Sequence, residues 1–90
     1  MKKITVDYFF NPMSEECKSF MKLVVTPLMR ELGDIVEWRV HNIYDRRAKA
    51  VADRYAIKAV PALVIGEKEV IIGFKPASAI KEIIMRLLEL

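Results

Sequence analysis

The sequence predicts an α/β fold, in the order β-α-β-α-β-β-α, with a four-stranded mixed sheet and helices on both of its faces. Three observations carry that reading. The run Lys3–Phe10 is rich in β-branched and aromatic residues and too apolar for a one-sided strand, so it belongs in the middle of a covered sheet. Helical stretches starting near Ser14 and Asp45 alternate with strand-like runs, which is the pattern of a right-handed βαβ unit. Ala62–Ile65, the polar turn Gly66-Glu67-Lys68-Glu69 and Val70–Ile72 then read as a hairpin before a last helix.

Each element has local causes. Asn11-Pro12 breaks the first strand. Ser14 offers an N-cap oxygen, and Glu15 and Glu16 suit the positive end of the helix that follows. Phe20, Leu23, Val24, Pro27, Leu28 and Leu32 form a helical stripe up to Gly33, the expected C-cap. Pro27 lies within that stripe and predicts a kink or break near Val24. Ile35–His41 alternates, with Val36, Trp38 and Val40 opposing Ile35, Glu37, Arg39 and His41 on a wetter face. Asp45 caps a helix reaching Tyr55, whose stripe is Ala48, Val51, Ala52 and Tyr55. Pro76 opens the last helix, with Ile80, Ile83, Ile84, Leu87 and Leu88 on one face.

Composition narrows the functional classes. The 90 residues show no repeat, low-complexity tract or linker, and read as one domain spanning 1–90. Apolar residues at 53% and charged residues at 30% fit a globular chain rather than a disordered one. One cysteine allows no intramolecular disulfide and no cysteine-based zinc site, and no motif calls for a metal or cofactor. The net charge of +3 is spread out instead of forming a basic stripe with aromatics, which argues against nucleic acid. No apolar run approaches the roughly 20 residues of a membrane span. Met1-Lys2-Lys3 leads straight into a strand-like run, not a signal sequence, so the expected compartment is the cytoplasm, where a lone thiol stays reduced.

The residues able to do chemistry are few. Cys17 sits in the first turn of a helix, whose N-terminus favours a thiolate, while Glu15 and Glu16 oppose one. The acids and partial burial are expected to win, leaving an ordinary thiol that packs the helix start as a small buried residue, with a reactive monothiol as the alternative. Asp7 lies in an apolar strand, either buried or solvated at a strand edge. His41 is expected on the surface at a strand end remote from Cys17. Trp38 and the five methionines read as core or helix packing, and Asp45-Arg46-Arg47 as a solvated helix start.

Four segments resemble the thioredoxin-like superfamily, in its small glutaredoxin-sized form, over essentially the whole chain. They are Asn11-Pro12-Met13 ahead of Ser14–Cys17, the stretch Tyr55–Ile65 with Val60-Pro61, the turn Gly66-Glu67-Lys68, and Gly73-Phe74-Lys75-Pro76. Asp7–Pro12 and Val36–Val40 also resemble the periplasmic disulfide-oxidoreductase family, whose helical insertion this chain is too short to contain.

The resemblance implies a degenerate Cys-x-x-Cys site. Ser14 stands at the nucleophile position, where a hydroxyl cannot exchange with disulfides, and Cys17 stands at the resolving position. It also implies a cis Val60–Pro61 bond, with the Val60 backbone free to pair with an extended peptide or glutathione, and a proton-transfer role for Asp7. The catalytic candidates are therefore Cys17 and Ser14, and the substrate-binding candidates Pro12, Met13, Val60 and Pro61. The Ser14 hydroxyl is either the helix N-cap or a donor to a bound thiolate, as in some glutathione transferases of the superfamily. The expected function is a redox-family protein that has lost dithiol exchange and binds thiol or extended-peptide partners between Ser14–Cys17 and Val60–Pro61. Two alternatives stand beside it: a monothiol reductase or peroxidase using Cys17 with an external thiol, and a scaffold or oligomerisation module. The expected state is a monomer or weak dimer.

Overall fold

In a computed structural model that describes residues 3–89, β1 (Ile4–Phe10) lies inside a four-stranded sheet of order β2-β1-β3-β4. β1 pairs in parallel with β2 (Val36–Asn42) and antiparallel with β3 (Ala62–Ile65), and β4 (Glu69–Ile72) closes the far edge antiparallel to β3. The period of two along β1 divides its side chains between two separate cores. Val6 and Tyr8 face Phe20, Val25 and Leu28 on one side, together with Ile80 and Ile84 of the last helix, α4 (Ala77–Leu88). Phe9 faces the other way, against Ala52, Ile57 and Val64 beneath α3 (Arg46–Arg54). The apolar uniformity of β1 thus has a cause, since both its faces are covered.

The helix after β1 runs as α1 (Glu15–Phe20), a π-helical turn (Met21–Val25) and α2 (Thr26–Leu32). Thr26 N–H donates to the carbonyl of Met21, five residues back. Pro27 accounts for this turn. It has no N–H, and its ring would strike the carbonyl of Leu23 in an α-helix; the wider turn removes both conflicts. The break predicted near Val24 is therefore a π turn. It also moves the buried stripe, which now runs Phe20, Val24, Val25, Leu28 and Leu32, leaving Leu23 62% exposed and Pro27 at the surface.

Other details depart from the sequence pattern. Pro76 is extended and precedes α4 as its N-cap residue instead of opening the helix. Gly33 ends α2 with φ −59, a right-handed geometry, and is small because a Cβ there would lie 2.9 Å from the Met29 carbonyl oxygen. Met21 and Met29 pack on the core as expected, but Met13 is 76% exposed and Met85 is also at the surface; Met1 lies outside the described residues. Trp38 packs on the core half-buried, with its indole N–H unpartnered among the described residues. Val40, read as part of the dry face of β2, is 45% exposed and borders an open groove with Thr26, Pro27 and Arg30.

Candidate functional site

The C-terminal end of β1 delivers the chain into a hydrogen-bonded turn. Asn11 Oδ1 accepts the Met13 N–H at 2.8 Å, and the Asn11 carbonyl accepts the Ser14 N–H at 3.0 Å. Met13 therefore projects at the tip while Pro12 and Ser14 are half-buried. Ser14 Oγ accepts the Cys17 N–H at 3.2 Å, closing the first turn of α1 as an N-cap. Glu15 and Glu16 point to solvent, and Glu15 pairs with Lys18 at 3.5 Å.

Cys17 is 2% exposed. Its Sγ accepts the Asn11 N–H at 3.5 Å, and its carbonyl accepts the Tyr8 hydroxyl at 3.1 Å. Burial, and secondarily the neighbouring Cys17 sulfur, holds the Tyr8 hydroxyl well above the ordinary tyrosine range, so it stays a neutral donor at physiological pH. The cysteine is thus held by contacts from the turn, the helix cap and the central strand.

Val60-Pro61 arrives at the same end of the sheet. The peptide bond is cis, and Pro61 is fully buried. Ala62 pairs with Phe9, which places Pro61 alongside Phe10, one residue before the Asn11–Met13 turn. Gly73 N–H donates to the Pro61 carbonyl at 2.8 Å, and Phe74 meets Phe20 edge-on at 5.2 Å between ring centroids. Among the described residues, no hydrogen bond engages the Val60 amide or carbonyl.

The hollows at the surface divide these residues. One of about 660 Å³ opens beside Cys17 and Pro12 toward β2, and neither Val60 nor Pro61 lines it. Val60 instead borders a hollow of about 360 Å³ with Ala52, Asp53 and Ile57 on the opposite face of the sheet.

Asp7 is buried and not solvated, but it lies on the face of β1 opposite Tyr8, whose hydroxyl is the strand's contact with Cys17. His41 lies at the end of β2 as expected, but its placement on the surface is overturned. It is half-buried, with Nε2 2.8 Å from Asp7 Oδ1 and its ring stacked on Phe9 at 4.7 Å between centroids. Arg39 Nε lies 3.8 Å from the same carboxylate oxygen. The signal was present in β2: Asp7 pairs in register with Arg39, and His41 follows two residues later on the same face. Among the described residues, no group of three or more His, Cys, Asp or Glu side chains is arranged for a metal ion, and no helix is long and apolar enough to cross a membrane.

The strand order and the strand-turn-helix that carries Cys17 define a thioredoxin-like protein. No protein-family model matches the chain. A thioredoxin of Methanocaldococcus jannaschii is 33% identical over 86 residues, covering 96% of this chain and 98% of that protein, and the chain belongs to the thioredoxin-like family. Among solved structures, chloroplastic thioredoxin z superposes with a TM-score of 0.81 at 18% identity, over 98% of this chain and 80% of that one. The germline-specific thioredoxin Deadhead of Drosophila melanogaster gives 0.80 at 16% identity, over 96% and 82%.

Proposed function

We propose that this chain is a thioredoxin-family protein without dithiol–disulfide exchange, one that binds thiol-bearing or extended-peptide partners between Ser14–Cys17 and Val60–Pro61. The observation that carries the reading is the pairing of Ser14 with Cys17. The hydroxyl at the head of the helix accepts the Cys17 amide N–H, and the single thiol of the chain is buried behind it. A serine hydroxyl neither attacks a disulfide nor leaves one, so the two-thiol cycle has no first step. The binding half is supported by the exposed Met13 and by the unengaged Val60 backbone at the same sheet end, whose N–H and C=O are open to pair with an extended peptide. Pro12 supports the turn, and Pro61 positions Val60. Asp7 is hydrogen-bonded to His41 on the face of the sheet away from Tyr8 and Cys17, and has no assigned part in the binding site.

A monothiol reading draws on one specific contact. The Asn11 N–H donates to Cys17 Sγ at 3.5 Å, the contact a reacting sulfur at this position would keep. Alkylation separates the two. Slow reaction of Cys17 with iodoacetamide at neutral pH, no reduction of insulin disulfides, and amide shifts at Met13, Ser14 and Val60 on adding an extended cysteine-containing peptide are the expected results. Rapid alkylation that peroxide abolishes would establish the monothiol enzyme instead. Peptide-induced shifts confined to another face would remove the proposed binding site.

A further inference from the structure

The groove of about 660 Å³ on the β2 side of Cys17 meets the proposed peptide site only at Pro12, Asn11 and Cys17, and most of its lining has no part in that reading. Its apolar lining comes from Tyr8, Phe10, Met21, Pro27 and Val40. Its charged lining has one sign only: Lys18, Lys22 and Arg30, with no carboxylate among the lining side chains. Lys18 is paired with Glu15, whereas neither Lys22 nor Arg30 has an ion-pair partner among the described residues. The volume lies within the roughly 300–1,000 Å³ of small-molecule sites, which combine apolar walls with a few polar groups.

We infer that this groove binds a small organic anion with an apolar body, its carboxylate or phosphate head against Lys22 and Arg30 and its tail over Phe10, Met21 and Val40. Charge decides the class. An apolar neutral molecule would cover the walls but leave the two cations without a partner, and a cationic one would be repelled by all three. A second copy of the chain, with a net charge of +3, is a poorer electrostatic match. Apolar area supplies the affinity: Val40 is 45% exposed, and covering it and its neighbours removes that surface from water. Lys22 and Met21 belong to the π turn, the irregularity that Pro27 imposes, and such turns recur at functional sites. The inference is independent of peptide binding at Val60.

Calorimetric titration with decanoate, decyl phosphate, decanol and decylammonium tests it on the wild-type chain. At least one of the two anions is expected to bind at a single site, at least about tenfold more tightly than decanol, with no heat from decylammonium. A preference between decanoate and decyl phosphate identifies the head group. The double variant K22E/R30E should weaken the bound anion at least about tenfold with an unchanged circular dichroism spectrum. V40W, which fills the groove from an exposed position, should weaken decanoate and decanol together. The peptide-induced shifts at Met13 and Val60 should survive both variants. Equal binding of decanol and the anions, an inert K22E/R30E, or no anion binding at millimolar concentration would each overturn the assignment. So would a dimer in sedimentation whose dissociation by K22E/R30E shows that a second copy fills the groove.

Discussion

His41 Nε2 lies 2.8 Å from Oδ1 of Asp7, which joins an edge strand to the central one through a buried carboxylate. The ring donates to that oxygen whether it is the neutral Nε2–H tautomer or the imidazolium. Removing it leaves Arg39, at 3.8 Å, as the nearest cation. His41→Ala is therefore expected to cost about 2–4 kcal/mol, the range for leaving one member of a buried polar pair without its partner. Asp7→Asn should cost less, because an amide oxygen still accepts from the ring. In a urea-denaturation cycle with Asp7→Ala, the two residues should couple by more than about 1 kcal/mol. Additive effects within about 0.3 kcal/mol would mean that the contact adds nothing beyond packing.

Tyr8 predicts an alkaline limit to stability. Its hydroxyl is held protonated in the folded state by burial, and next by Cys17, above the ordinary value of 10.0 that it regains on unfolding. Above that pH the unfolded chain has released a proton that the native chain retains. The native state then binds more protons, and stability falls as pH rises. Below that pH the two states are equally protonated at Tyr8 and the effect vanishes. Tyr8→Phe loses the hydrogen bond to the Cys17 carbonyl and should be about 1 kcal/mol less stable at pH 7. Its unfolding free energy should fall less steeply than the wild type's between about pH 10 and 11.5. Parallel wild-type and variant curves would show that Tyr8 does not titrate differently in the folded state.

Much of this arrangement was legible in the sequence because it rests on local rules. The apolar run at β1, the caps Ser14 and Asp45, and the turn before β4 each declare themselves within a few residues. The thioredoxin-like architecture followed from their order. His41 escaped because its role depends on register: an alternating edge strand looks half-solvated until its parallel partner places Asp7 on the same face. The groove escaped for a related reason. Lys18, Lys22 and Arg30 read as an ordinary solvated helix face, and only the π turn and the exposed Val40 that borders the same groove turn that face into a wall. Pro27 announced a break but not its kind, since a kink, a split and an inserted π turn all satisfy a missing N–H.

That π turn makes Pro27 an unusual proline. In an uninterrupted helix interior, replacing proline with alanine would recover about 3 kcal/mol. Here the donor has already been bypassed by the Thr26–Met21 bond, and Pro27 begins the next helix in a position that tolerates it. Pro27→Ala is accordingly expected to change stability by less than about 1 kcal/mol in urea titrations. A gain near the full helix-interior value would mean that the proline strains the fold, and that the π turn does not relieve it.

Restoring a thiol at Ser14 tests the site most directly. The Ser14 side chain already lies at the head of α1 with its oxygen 3.2 Å from the Cys17 amide, so a sulfur at that position starts one helical turn from Cys17 Sγ. With oxidised glutathione, Ser14→Cys should form an intramolecular disulfide: the two thiols lose their protons and two electrons, and one glutathione disulfide is reduced to two thiols. Free-thiol titration should fall from two per chain to none, without a glutathione adduct in the mass spectrum, and the variant should reduce insulin in the presence of dithiothreitol. Ser14→Ala, which lacks the cap, should instead lose about 1 kcal/mol of stability and gain no activity. If Ser14→Cys stops at a glutathione adduct on residue 14 while Cys17 remains free, Cys17 does not occupy the resolving position. The loss of dithiol chemistry would then lie in the placement of the buried sulfur as well as in the serine.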